Sequence, residues 1–314
     1  LMKKMVLITT LITLPCLTYA MQPLDDASLA QQTGQDGITV GISASTIQFD
    51  QLSIIDTDGI VGSATHDKAA ALVVASTSSA NPVKIQFLDK NNAALANTIT
   101  AVLDTDGGAN ASGADAFLNA RIGFDSNLSK IKISPFSIYL AKPSGTVGTI
   151  GATGKIFDSA ETNGLRADVT RLLSFGSGAE VNFTDGNPLA MNVQLGNAPQ
   201  GVMLLLTGNI QTINIPNIEL FSKSTDTTQN SSLNINGLQF KASTAAGFSL
   251  ASFYAGVESN GLVMGHFGKT DKFDLTVGSI IAGTDGAQST NDFNNLKNGS
   301  MGGFGLIGAS VTNL

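Results

Sequence analysis

Tryptophan is absent, cysteine occurs once, histidine twice, and only 13% of the 314 residues carry charge. Each shortage excludes something. Without tryptophan the chain lacks a common sugar-stacking surface. The single thiol, Cys16, rules out a disulfide framework within the chain and leaves the core and the strand ladders to stabilise it. His66 and His266 lie far apart in sequence and outside any HExxH-like spacing, so both are expected on the surface or in turns rather than as ligands. The formal net charge is −7, and an acidic chain with scattered bases repels phosphate backbones, which argues against nucleic-acid binding. Disorder is an equally poor reading, because 42% of the residues are apolar and can be buried.

Residues 2–20, MKKMVLITTLITLPCLTYA, have the three parts of a secretory signal. Lys3 and Lys4 are the basic n-region, Met5 to Leu14 the apolar h-region, and Thr18-Tyr19-Ala20 a small-x-small cleavage site. The h-region is short of the roughly 20 residues that span a bilayer. Cleavage after Ala20 would remove Cys16 and both lysines and take the charge to −9. Lipidation at Cys16 is disfavoured, because Thr13-Leu14-Pro15 lacks the small residue such sites carry before the cysteine. No later run of 18 apolar residues predicts a transmembrane helix after signal cleavage. The expected localisation is therefore outside the cytoplasm: periplasm, outer surface or an extracellular filament.

The rest of the chain is rich in what strands and tight turns need. Glycine (34 residues) and small polar residues separate short alternating apolar stretches, so the expected fold is all-β. A large antiparallel or rolled sheet, or a sandwich-like architecture, is expected, with a β-solenoid as the alternative. Asp25 or Asp26 can cap a short helical turn over Ala27 to Gln32, with Gly34 at its end. Ile38/Val40/Ile42, Ile47/Phe49 and Leu52/Ile54 alternate with period two. Further strands are expected at Ala70–Ala75, Val83–Leu88, Ile99–Leu103, Ile122/Phe124, Ile131/Ile133 and Phe136/Ile138/Leu140. Residues 113–120 read as a short helix or a loop. Beyond Leu165 a strand signal recurs roughly every 10 residues, with Thr184 to Pro188 and Asn236-Gly237 read as turns. The expected organisation is a signal peptide (1–20), an N-terminal β-rich region (21–144), a Gly-rich connection (145–155) and a C-terminal β-rich region (156–314).

Chemistry is thinly represented. There is no Gly-x-Ser-x-Gly elbow, and Gly154-Lys155 is no phosphate loop, since Thr149 and Ile156 replace residues that motif requires. Glutamate occurs only at positions 161, 180, 219 and 258, which leaves a hydrolase using dispersed carboxylates as the weakest reading. Asp56-x-Asp58-Gly59 and Asp104-x-Asp106-Gly107 place alternating carboxylates in turns, where Ca²⁺ could be held at Asp56, Asp58, Asp104 and Asp106. Neither continues into a full calcium loop, so ordinary β-turns are the simpler expectation. A calcium-stabilised adhesive or carbohydrate-binding module is the alternative this pattern supports. No other cofactor and no catalytic residue is expected.

The segment 301–314 is apolar, glycine-rich and uncharged. Exposed as a flat strand it would invite pairing. Either it completes its own sheet or it adds to a neighbour's edge, in which case Phe304, Leu306, Ile307, Val311 and Leu314 form the assembly strand.

Leu24-Asp25-Asp26, Leu29, Thr33-Gly34-Gln35-Asp36-Gly37-Ile38 and the strand pair leading to Asp56-Thr57-Asp58-Gly59, behind a signal peptide, resemble the N-terminus of FilA-like pilus-system proteins of Gram-negative bacteria. The likeness is specific over about 40 residues. It implies a non-enzymatic filament or surface-appendage role, with the chain itself or other pilus-system subunits as partners, and it carries no catalytic residue over.

Overall fold

A computed structural model describes residues 37–60, 62–63, 65, 68–109, 115–142, 154–157, 164–197, 199–222, 231–259, 261–284 and 299–312. The signal peptide, the helical turn at Ala27–Gln32 and residues 145–153 of the Gly-rich connection lie outside the described residues.

The described chain folds into twenty strands, all ladders between them are antiparallel, and no helix occurs among the described residues. The fold is the expected all-β class of large antiparallel sheets, without a closed barrel. A solenoid would need parallel ladders, so that alternative does not hold.

The strands form eight successive passes of a single meander. The first pass is β1 (Ile38–Ala44), β2 (Thr46–Phe49) and β3 (Gln51–Asp56). The second returns through β4 (Ala70–Ala75), β5 (Val83–Leu88) and β6 (Asn97–Asp106). The third is β7 (Phe117–Gly123), β8 (Lys130–Ile133) and β9 (Phe136–Ala141); the fourth is β10 (Val169–Phe175), β11 (Ala179–Phe183) and β12 (Ala190–Gly196). The fifth is β13 (Leu204–Thr207) with the long β14 (Asn209–Ser222), and the sixth is β15 (Ser231–Ala242), β16 (Phe248–Ser249) and β17 (Phe253–Glu258). β18 (Gly261–His266) with β19 (Phe273–Thr284) makes the seventh, and β20 (Gly299–Ala309) the eighth.

Corners cut the passes into three sections. A near sheet of seven strands runs β1-β6-β7-β12-β13-β17-β18. The 13-stranded sheet forks at β14, whose Ile210–Asn214 half pairs β11 and whose Glu219-Leu220 pairs β10. The middle wing thus runs β2-β5-β8-β11-β14 and the far wing β3-β4-β9-β10-β14, and β15, β19 and β20 continue both. Strands before and after the Gly-rich connection pair directly, β9 with β10, β8 with β11 and β7 with β12. At the corner between β10 and β11, Gly178 has φ +75 and a Cβ there would run into the Ile133 carbonyl, so only glycine lets these backbones meet. On the other side, Ser134 precedes Pro135, and its Oγ accepts the Lys84 amide at 2.8 Å.

Two sequence expectations change. Residues 117–123 form β7, so the stretch 113–120 includes the start of a strand rather than a helix. Asn236-Gly237 is no turn. It lies inside the 12-residue β15, where Gly237 (φ +65) stands opposite Pro216 between the pairs Ile215–Leu238 and Asn217–Asn236.

The cross-strand rows explain the packing, because directly opposed residues share a face. On the middle wing the row Thr46–Gln86–Lys132–Glu180–Asn214–Gln239–Thr276 is polar. The adjacent row Phe87–Ile131–Val181–Ile213–Phe240–Leu275 is apolar and faces a core built on Phe87, Leu128 and Phe183. A second cluster, around Phe248 and Leu250, fills the corner toward the near sheet. On the far wing Ala71, Val73, Ala75, Tyr139 and Ala141 are buried beneath Ile156, Phe157 and Leu165. Arg166 pins that cover: it pairs with Asp168 at 2.8 Å and donates to the Lys142 and Lys155 carbonyls.

The polar row carries a pH-dependent contribution. Burial pushes the Glu180 carboxyl up, but the Asn182 amide (3.0 Å) and the Lys130 ammonium (3.0 Å) outweigh it and hold it below the usual value. A carboxyl lowered in the folded state stabilises above its unfolded pKa and loses that contribution as pH falls through the folded one. The urea midpoint is therefore expected to fall on acidification from about pH 6 to about pH 3. Glu180→Gln should shallow that decline, and an unchanged pH profile would contradict the assignment.

Candidate functional site

The outer sides of the first and last passes are the feature most exposed to a partner. Among the described residues, no strand pairs the outer side of β1, β2 and β3 or that of β20. Side chains along both edges are apolar and open to solvent: Ile38 is 62% exposed, Ile54 66%, Phe304 53% and Ile307 70%, with Ile42, Ile47, Leu52 and Leu306 also exposed. Folded proteins blunt such edges with lysine, proline or inward charge. Here residues 38–56 contain no Lys, Arg or Pro and only two charges, Asp50 and Asp56, while residues 299–309 contain no charge and no proline. Strand cations such as Lys84, Arg121, Lys132, Arg171 and Lys241 sit on interior passes instead. β20 is irregular at its register shifts against β19 and at Gly302 (φ +75) and Gly308 (φ +64).

The apolar C-terminal segment pairs with its own chain on one side, through β19, and among the described residues no strand pairs its other side. Val311 is not on that outer edge: its amide donates to Thr270 Oγ1 at 2.6 Å, and its carbonyl accepts the Thr270 amide at 2.9 Å. Leu314 lies outside the described residues.

The four aspartates form two separate turns. Asp56 closes β3 at the outer end of the far wing, where its Oδ1 accepts the Asp58 and Gly59 amides at 3.2 and 3.3 Å. Donation from the Asp58 backbone holds its carboxyl below the usual value. Asp104 and Asp106 end β6 on the near sheet, and Asp106 Oδ1 accepts the Gly108 amide at 2.8 Å. The two pairs are thus at opposite ends of the passes and do not build one site. Among the described residues, no group of three or more His, Cys, Asp or Glu side chains is placed to hold a metal ion.

His266 departs from expectation. It is buried at the end of β18, edge-on to Phe253 with centroids 4.5 Å apart, and its Nδ1 has no hydrogen-bond partner. His66 lies outside the described residues.

Three features escaped the reading of the residues. The far wing is inverted: Ser137, Ser174, Glu219 and Asn234 are buried, whereas Leu52, Leu72, Leu140 and Leu220 are exposed. The buried polar groups bond to one another, Ser137 to Ser174 at 3.0 Å and Asn234 to Glu219 at 3.4 Å. On the near sheet, an amide cluster links Asn119, Asn192, Gln194 and Gln200 at 2.8 to 3.0 Å. The alternation Asn192-x-Gln194 was its signal. Beside it a shallow recess of about 370 Å³, lined by Gln194, Met203, Tyr254, Gly256 and Val263 among others, holds no carboxylate or histidine.

Residues 1–125 match the model of a family described as a family of unknown function, DUF6160. The match includes the whole first and second passes and β7 of the third. No curated protein and no solved structure matches the chain.

Proposed function

We propose that the chain is an exported, non-enzymatic structural protein, a subunit or accessory of a pilus-like surface filament, which joins further subunits by strand addition. The observation that carries this reading is the pair of long, apolar, nearly uncharged open edges. Such edges present backbone N–H and C=O groups to an incoming strand, so that main-chain hydrogen bonds supply affinity and alternate side chains supply register. The secretory pattern of residues 2–20 and the resemblance of residues 24–59 to pilus-system proteins support the same role. Electron microscopy of the producing bacterium with and without the gene tests it. Surface filaments are expected to be lost or shortened in the deletion and restored by complementation. Unaltered surface structures in the deletion would refute the role.

A further inference from the structure

We infer that β20 of one copy is received by the β1–β2–β3 edge of a second copy, head to tail and antiparallel, with Gly305 level with Thr46 and Ser300 level with Gln51. The inference rests on the strand-addition reading and names its acceptor.

Direction is the first argument. Passes alternate in sense, and an even number separates the two edges into opposite directions. A second copy laid beside the first therefore continues the antiparallel pattern that every ladder in the chain already follows.

Commensurate spacing is the second. The middle-wing row that begins at Thr46 ends, through seven ladders, at Gly305. The far-wing row that begins at Gln51 runs through Ala75, Ser137, Ser174, Glu219, Asn234 and Ile281 to Ser300. Four residues lie between Thr46 and Gln51, and four lie between Ser300 and Gly305. The corners and bulges between the edges thus cancel, and the two edges arrive in step. In that register Ile47 stands opposite Phe304, an exposed β-branched residue against an exposed aromatic, a favourable cross-strand pair.

The occupant is a second copy because the two edges lie at opposite ends of the strand order and do not pair with each other. Different patches meeting in this way make a heterologous contact, which propagates as an open filament unless the rotation closes a ring.

Single cysteines at the two positions test the register in the full chain, with Cys16→Ser removing the native thiol. Neighbouring strands place opposed Cα atoms about 4.5–5.5 Å apart, within disulfide reach. A side chain at Gly305 meets only Thr276 Cγ2 at 3.6 Å and Ile307 Cδ1 at 3.8 Å, so Gly305→Cys is accommodated. Mixing Thr46→Cys with Gly305→Cys under mild oxidation should give disulfide-linked dimers containing one chain of each kind, at least about tenfold above either variant alone, and the double variant should give a ladder of linked oligomers. Cross-linking of one single variant with itself, or an internal disulfide in a monomeric double variant, would overturn the pairing. Polymers by sedimentation without a mixed cross-link would overturn the register while leaving strand addition standing. Neither polymers nor cross-links would sink both.

Discussion

Tyr139→Ala is expected to lower the free energy of unfolding by about 3–5 kcal/mol, the range for removing a large buried aromatic side chain. Tyr139 is fully buried on the far wing, between Val73 on β4 and Arg171 on β10. Its ring meets Phe157 edge-on at 6.1 Å, and its hydroxyl donates to the Ser76 carbonyl at 2.8 Å. Truncation would open a cavity beneath Ile156 and leave the Ser76 carbonyl without its donor. Tyr139→Phe separates the two effects, keeping the packing and costing about 1–2 kcal/mol for the lost bond. Urea unfolding of both variants checks this. Equal losses for Ala and Phe would show that the hydroxyl, not the packing, holds the wing together.

The sequence made the strands legible where one face is wet and the other dry. Ile131/Ile133 alternates with Lys130 and Lys132, and the structure places these side chains on opposite faces of the middle wing. Alternation fails as a guide on the far wing, because the residues that alternate most clearly there, Leu52 and Ile54, point outward while serines and Asn234 point in. Period two reports two faces but not which one is covered. That is decided by distant chain, here the segment carrying Ile156 and Phe157, which the sequence does not announce as a cover. Asn236-Gly237 misleads for a related reason. A positive-φ glycine suits the interior of a strand as well as a turn, and the ladder with β14 keeps one register on either side of Gly237. Strand order was hidden too, although the simplest meander turned out to be the answer.

The edges were half legible. The uncharged segment 301–314 stands out by composition, and residues 38–56 carry a similar shortage of charge, with only Asp50 and Asp56. Only the strand order shows that residues 38–56 and β20 lie on the first and last passes of one meander.

Charging either edge should therefore abolish assembly without unfolding the chain. Ile47→Lys and Phe304→Lys each place a cation on an edge at a side chain that is already exposed, 41% and 53% respectively. Lysine on an edge strand is the device by which folded sheets resist addition. The most direct measurement is sedimentation velocity of the unaltered chain, of each variant and of their equimolar mixture. Polymers from the unaltered chain, monomers from each variant alone and dimers from the mixture are predicted, because each variant keeps the edge the other has lost. Polymers from either variant, or a mixture that stays monomeric, would contradict assembly through these two edges.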